Sequence, residues 1–458
     1  MVFAPPSLLV LVLLLWVLWI SPSPALCADR PEPDLRVGRA AYLQHCARCH
    51  GLEGRGDGRD AQRFYPRPRD LTAGVYKFRS TASGTSPTDD DLFQTLTRGL
   101  PGSNMPDWQH LDEATRWQLV EYLKGLSPRF QELPPQPVTM VPDPGPTGVT
   151  LAEGKALYER LGCAACHGPS GRANGPSAAT LVDEWGAATR PANLTQGWSY
   201  RGWNDPASIM RRILTGIDGT PMPSYAEAVS PEDAWPLAYY VASLQEPVHW
   251  NMVVRATRLP GELPATPDDP RWEEAERTDV RLRNAVTPEG EWAAAPTVIM
   301  VSLRIVSNEA MVAFRVSWDD PTHDGMEGNA DAFALVFQPE TSRGDVVTLQ
   351  AWPYRGGPTL DVGYWSADVD QAYETMAADF DSVRARRLRQ SLLTSASRYE
   401  DGRWHLVIQR PRVRTSLEGA ARIASARSSP IACTVWDGGT PEGRAVSPWI
   451  DLNTTEEE

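Results

Sequence analysis

Two short stretches constrain this chain more than anything else in it: Cys46-Ala-Arg-Cys49-His50 and Cys163-Ala-Ala-Cys166-His167. Thiols separated by two residues stand about one helical turn apart, the separation at which both can add across the vinyl groups of one porphyrin. The histidine that follows then falls beneath the iron and ligates it through a ring nitrogen. A zinc half-site would need further cysteine or histidine ligands nearby, and a redox C-x-x-C pair gives no reason for a histidine after both copies. The motif therefore reads as covalent attachment of haem c, once at each site. The other two cysteines, Cys27 and Cys433, provide no disulfide framework.

The surroundings of the motif repeat as well. Cys46 and Cys163, Gly99 and Gly216, Gly102 and Gly219, Met105 and Met222, and Pro106 and Pro223 are each 117 residues apart, the mark of an internal duplication. In both copies the methionine lies 55 residues beyond the haem histidine, in a glycine-rich loop closed by proline. A core methionine usually rides an apolar helical face; these two read instead as second axial ligands. A thioether opposite an imidazole fills both axial positions, stabilises ferrous iron and raises its potential. That is electron-transfer chemistry, and it disfavours a di-haem peroxidase, which needs an open iron. Each unit resembles a small class I cytochrome c domain. The resemblance covers residues 34–246 and implies the iron ligands His50 with Met105 and His167 with Met222. His45 and His110 are expected to be solvated or packing residues.

Periodicity and capping residues predict helices over Arg36–His45, Asp89–Arg98 and Asp112–Leu126 in the first unit. In the second, a closing helix should start at Ser230 as N-cap with Pro231 at its first position. The domain boundaries that follow are 29–126 and 150–246, with a proline-rich segment, 127–149, as a semi-rigid extended spacer. Residues 1–28 hold an apolar run of 14, Ser7–Ile20. That is short of the ~20 residues a membrane span needs, and reads as a signal peptide cleaved near Cys27 or Ala28, or otherwise as a retained anchor. Export to the bacterial periplasm suits haem c, which is attached outside the cytoplasm. Membrane contact is expected only if the segment is retained.

The net charge of −14 is unevenly distributed. The first unit is neutral, the second mildly acidic, and residues 247–458 carry most of the excess, which argues against a nucleic-acid partner and for distinct docking faces. From Arg55 to Arg79, seven basic side chains are interleaved with Phe64, Tyr65, Tyr76 and Phe78. This stretch is either a solvated loop or a docking and propionate-binding rim.

After residue 246 strand patterns take over: Thr297–Ile305, Met311–Trp318, Phe333–Gln338, Val346–Trp352 and Trp404–Gln409. In Met311–Trp318, Val312, Phe314, Val316 and Trp318 share one face. One longer helix is expected within Asp368–Leu393. The fold class is thus multidomain: two all-α cytochrome c domains followed by a mostly-β sandwich over 247–458. Ser317-Trp-Asp-Asp-Pro-Thr322, Asp331-Ala-Phe-Ala-Leu335, Tyr364-Trp365, Gly402-Arg-Trp-His405 and Cys433-Thr-Val-Trp-Asp-Gly438 resemble the haem-b-binding γ subunits of periplasmic molybdenum enzymes of the dimethyl-sulfoxide-reductase superfamily, such as ethylbenzene dehydrogenase. The resemblance implies a haem b held by Met and Lys, and partners in the molybdopterin and iron–sulfur subunits and a second redox carrier. This chain departs from it, because its last lysine is Lys155 and Arg355 stands near where the family often shows Met-Gly. The remaining ligand candidates are His323, Met326, His405, Met300, Met311 and Met376. A haem-free sandwich that docks a partner or binds sugar is the alternative.

Overall fold

The computed structural model describes residues 30–64, 66–184, 186, 188–284, 298–326, 329–338, 359–377, 391–413, 421, 423, 429–439 and 444–454. The leader, the Val346–Trp352 strand and Arg355 lie outside these. The first unit contains α1 (Leu35–His45), α2 (Ala47–His50), α3 (Asp89–Arg98) and α4 (Glu113–Gly125), followed by one turn of helix, α5 (Arg129–Glu132). The second contains α6 (Leu151–Arg160), α7 (Ala164–His167), α8 (Pro206–Thr215) and α9 (Pro231–Ser243). Each long helix starts on a side-chain cap that accepts from an otherwise unpaired amide: Asp34, Thr88, Asp112, Thr150, Asp205 and Ser230.

In both units the first and last helices cross at a glycine. A Cβ on Gly38 would lie 2.2 Å from the Gln118 carbonyl oxygen, and one on Gly154 would lie 2.1 Å from that of Pro236. Backbone cannot yield as a side chain can, so Gly38→Ala or Gly154→Ala must separate the helices. Each is expected to destabilise its domain by about 1–3 kcal/mol. Chemical denaturation followed by tryptophan fluorescence and by the haem band checks this, and an unchanged midpoint would show that the crossing is looser than described.

The proline-rich segment begins with the helical turn α5 rather than extended chain, is extended only from Leu133 onward, and is no free spacer. Val138 N–H donates to Ser80 O, Ala82 N–H to Gln136 O and Ser86 N–H to Leu133 O, tying it to the first unit. Further on, Val141 O accepts from Trp235 Nε1 and Asp143 accepts from Tyr239, tying it to the second. Arg79 closes the same junction: its buried guanidinium donates to Thr215 O at 2.9 Å and to Asp218 at 2.8 Å. One member of the basic stretch is therefore a buried tie between the helical units, not a solvated charge.

The C-terminal region is built from β1 (Val253–Arg258), β2 (Thr278–Arg281), β3 (Arg283–Asn284), β4 (Met300–Ser307), β5 (Met311–Asp319), β6 (Ala332–Phe337), β7 (Leu360–Ser366), β8 (Tyr373–Ala377), β9 (Thr394–Glu400), β10 (Arg403–Pro411), β11 (Ser429–Trp436), β12 (Arg444–Val446) and β13 (Ile450–Asn453). One sheet runs β1-β4-β5-β10-β9 and the other β8-β7-β6-β11-β13-β1. Strand β1 serves both, pairing in parallel with β13 through Val253–Arg255 and with β4 through Ala256–Arg258. The inner faces meet in one core: Val312, Phe314, Val316 and Trp318 of β5 pack with Phe333, Leu335 and Phe337 of β6 and Ile431, Cys433 and Val435 of β11. The alternation in β5 thus falls as the sequence predicts. The helix expected within Asp368–Leu393 does not form over Tyr373–Ala377, which is strand β8, paired antiparallel with β7. There Tyr373 and Thr375 favour a pleated surface, and pairing with β7 overrides the helical pattern; residues 378–390 lie outside the described ones.

The sandwich is clamped to the second helical unit through Asp319 at the end of β5. Its carboxylate accepts from Arg172 (2.8 Å), Arg403 (2.6 Å), Asn193 (2.8 Å) and Gln196 (2.9 Å). Burial alone would raise its pKa; the guanidiniums of Arg403 and Arg172 outweigh that and hold it below the ordinary carboxylate range. Beside it, the tight Asp401-Gly402 turn of the β9–β10 hairpin rests on Asn174, where a Cβ on Gly402 would lie 2.7 Å from Asn174 Nδ2.

Candidate haem sites

Each C-x-x-C-H motif forms a single turn of helix. In α2, His50 N–H bonds to Cys46 O, and in α7, His167 N–H bonds to Cys163 O, both at 2.9 Å. A glycine with positive φ ends each turn (Gly51, +84°; Gly168, +80°), and its carbonyl accepts from a tyrosine of the preceding helix, Tyr42 at 2.7 Å and Tyr158 at 2.6 Å. The turn is thereby fixed against the helix crossing.

The two imidazoles are held alike. Nδ1 of His50 lies 2.9 Å from Arg69 O, and Nδ1 of His167 lies 2.9 Å from Ala192 O. A carbonyl can only accept, so Nδ1 carries the proton and the Nε2 lone pair is left for a metal. Burial pushes both rings below their ordinary pKa, which keeps them neutral and able to ligate.

The orienting carbonyls belong to a second repeated motif that inspection for cysteine and methionine misses: Pro68-Arg-Asp-Leu-Thr72 and Pro191-Ala-Asn-Leu-Thr195. In both, the Asp or Asn side chain accepts from the Thr amide and hydroxyl two residues on, and the Leu amide donates to a glycine of the haem loop, Gly54 or Gly171, at 2.6 Å. The copies are 123 residues apart, not 117. A search at the longer spacing would have found them.

The methionine loops are also duplicates. Leu100 N–H bonds to Met105 O and Ile217 N–H to Met222 O, while Ser103 Oγ and Thr220 Oγ1 accept from the methionine amides. Met105 lies in the same apolar cluster as Cys46, Tyr76 and Trp108. Tyr76 Oη and Trp108 Nε1 are buried there without hydrogen-bond partners among the described residues. Trp198 Nε1, Trp203 Nε1 and Arg211 Nε are in the same condition in the second unit. Buried donors of this kind await an acceptor, and the propionates of a porphyrin are acceptors, so the residues present fit the haem that the motifs imply.

Residues 151–245 match the family model of cytochrome c, and residues 33–123 that of subunit III of cbb3-type cytochrome c oxidase. Residues 33–245 therefore hold two cytochrome c-type domains. The cbb3-type cytochrome c oxidase subunit CcoP of Azospirillum brasilense is 30% identical over 213 residues, covering 45% of this chain and 61% of that protein. A putative respiratory nitrate reductase haem subunit of Haloferax mediterranei is 28% identical over 203 residues, covering 42% and 68%. A chain of the reducing HAO-like protein complex of Kuenenia stuttgartiensis is 41% identical; the match covers 48% of this chain and all of that one, with a TM-score of 0.45. The chain spans about three fifths of the length of the first of these relatives.

The methionine loop of the first cytochrome domain touches the segment around residues 200–202 of the second. Gly202 N–H donates to Pro101 O, and a Cβ on Gly102 would lie 2.3 Å from Tyr200 O. His45 and His110 pack around Trp108, as befits packing residues. In the sandwich, His323 stacks on Tyr399 at 4.7 Å and meets the edge of Trp404. His405 follows Trp404 in β10 and so faces the other way, bonding Ser317 at 3.1 Å, with its pKa lowered to about 4 by burial and nearby arginines. The two histidines thus lie on opposite sides of β10. Met326 is exposed, Met300 is buried in β4, Met311 packs outside the sheet against Leu259 and Trp272, and Met376 is half-buried in β8. Among the described residues no helix is long and apolar enough to cross a membrane.

Proposed function

We propose that the chain is a di-haem c-type cytochrome that carries single electrons between a periplasmic molybdenum oxidoreductase and a second redox carrier, as an electron-transfer subunit and not an enzyme. Cys46 and Cys49, and Cys163 and Cys166, hold the two haems c; His50 with Met105 and His167 with Met222 ligate the irons. The iron supplies one-electron chemistry. The observation that carries this reading is the duplicated imidazole, with Nδ1–H committed to a carbonyl in both domains and a methionine loop of one construction in each. With both axial positions filled by protein, peroxide and oxygen have no place to bind. Contact between the domains near Pro101 and Gly202 favours transfer within the chain.

The oxidoreductase partner rests on the γ-subunit resemblance and on relatives named as oxidase and nitrate reductase subunits. Only the sandwich fold supports a third haem. Its usual lysine ligand is missing, and arginine, which stays protonated, offers iron no lone pair. Two covalent haems and no extractable one are therefore expected after maturation in a host competent for haem c. A pyridine haemochrome assay with acid–acetone extraction reads both. One full equivalent of extractable haem b would show that His323, His405 or a methionine had replaced the lysine, and a single covalent haem would overturn the di-haem reading. If the neutral first domain and the acidic sandwich face different partners, electron transfer with at least one should slow as salt rises, since exposed charges are screened beyond about 8–10 Å.

A further inference from the structure

Where the two sheets end beside the clamp, three carboxylates converge. Asp320 follows β5 in one sheet; Asp331 precedes β6 and Asp437 follows β11, adjacent strands of the other. All three side chains are buried, and each brings an oxygen within 4.8 Å of the others. The hydrogen bonds described for them come from neutral donors. Asp331 accepts from Trp404 Nε1, Asp324 N–H and Gly438 N–H, Asp437 from Gly439 N–H, and Asp320 Oδ1 from Thr322. The one-third exposed Arg190 guanidinium forms an ion pair with Asp437 at 3.7 Å and so offsets part of the cluster's charge from one side.

A separate observation points to a ligand. Asp320 is 0% exposed, yet its Oδ2 has no hydrogen-bond partner among the described residues, and neither has the buried Oδ2 of Asp324 next to the cluster. Further oxygens gather beside Gly439: a Cβ there would lie 2.9 Å from Asp324 Oδ2, 3.3 Å from Asp437 Oδ1 and 3.3 Å from Thr322 Oγ1. Three buried anions at this separation repel one another strongly unless protons or a cation relieve them. The burden shows in the carboxyls: burial and the facing carboxylates push Asp320 well above the ordinary range, and burial pushes Asp331 up to about 6.

We propose that Asp320, Asp331 and Asp437, with Asp324 beside them, bind one divalent cation of the calcium class, which pins the ends of the two sheets together. The donor set is all oxygen, which excludes soft and imidazole-seeking metals. Calcium suits it better than magnesium, because calcium accepts many protein oxygens in irregular geometry while magnesium retains its own water. Since Asp319 is the next residue along β5, the cation also fixes the strand end that holds the second cytochrome domain.

The test uses the full-length, haem-loaded protein stripped with EDTA. Equilibrium dialysis against calcium-45, with magnesium as competitor, should show one calcium per chain, displaced only by a large excess of magnesium. The thermal midpoint of the sandwich should rise with calcium concentration, as linkage requires. Asp320→Asn keeps the shape and the Thr322 contact; it should weaken binding by roughly tenfold or more while the EDTA-treated variant remains folded with unchanged haem spectra. Asp268→Asn, an exposed carboxylate elsewhere on the sandwich, should bind as the parent does. Absence of stoichiometric calcium in the parent protein, or binding by Asp320→Asn equal to that of the parent, would overturn the proposal.

Discussion

Replacing Met105 with alanine is expected to remove about half of the weak methionine–iron absorption band of the oxidised protein and to open that iron to cyanide. Met222→Ala should remove the other half, and the double variant all of it. Each loop should survive the change, because its hydrogen bonds run from Leu100 N–H to Met105 O and from the Met105 amide to Ser103 Oγ, with Ile217, Met222 and Thr220 in the second domain. None of these uses the thioether. Losing a ligand that favours ferrous iron should lower the potential of the affected haem by on the order of 100 mV, well within the ~0.8 V over which axial ligands set haem potentials. Covalent loading should stay normal, whereas His50→Ala or Cys46→Ala should impair loading itself. If both single methionine variants keep the full band, the assignment of Met105 and Met222 fails.

The haem motifs were legible because their chemistry fixes residue type and spacing together, and duplication then singled out the two methionines as candidate ligands. The Pro-x-Asp/Asn-Leu-Thr turns escaped the same search because the loop before them is six residues longer in the second copy and the loop after them six shorter. The register also slips by one at the first helix: Gly38 and Gly154 are 116 apart, since Leu161 and Gly162 separate α6 from Cys163 whereas α1 runs directly into Cys46. Arg79 was unreadable for a different reason. A basic residue in a basic, aromatic stretch looks solvated until its partners, Thr215 O and Asp218, arrive from 136 and 139 residues away. In the sandwich, alternation gave the inner face of β5. It could not give β1, whose two parallel pairings depend on strands some 50 and 200 residues away, nor β8, where pairing outweighed a helical pattern.

Asp319→Ala should have the largest effect on stability outside the haem ligands, and the effect should reach the second haem. The substitution removes the acceptor for Arg172, Arg403, Asn193 and Gln196 at once. Both guanidiniums keep Glu246, at 2.6 Å and 3.1 Å, but lose their shared buried partner. Removing one side of a buried charge pair costs about 3–5 kcal/mol, because it leaves desolvated charge unmatched. Asp319→Asn, which keeps the size and one acceptor oxygen, should cost less. A double-mutant cycle with Arg172→Ala should show a coupling of about 0.5–3 kcal/mol, as expected for groups in one network. The consequence for the haem follows from chain connectivity. Asn193 is bonded to Asp319, and the preceding residue, Ala192, supplies the carbonyl that orients His167. Loosening Asn193 should therefore free that carbonyl, shift the potential of the haem on Cys163 and Cys166, and speed hydrogen exchange from Ala192 to Gln196. The haem proposed for Cys46 and Cys49, whose histidine, His50, is held by Arg69 O in the first domain, should keep its potential. Parental exchange rates and both potentials unchanged in Asp319→Ala would show that the sandwich is merely tethered to the cytochrome domain and does not set its haem.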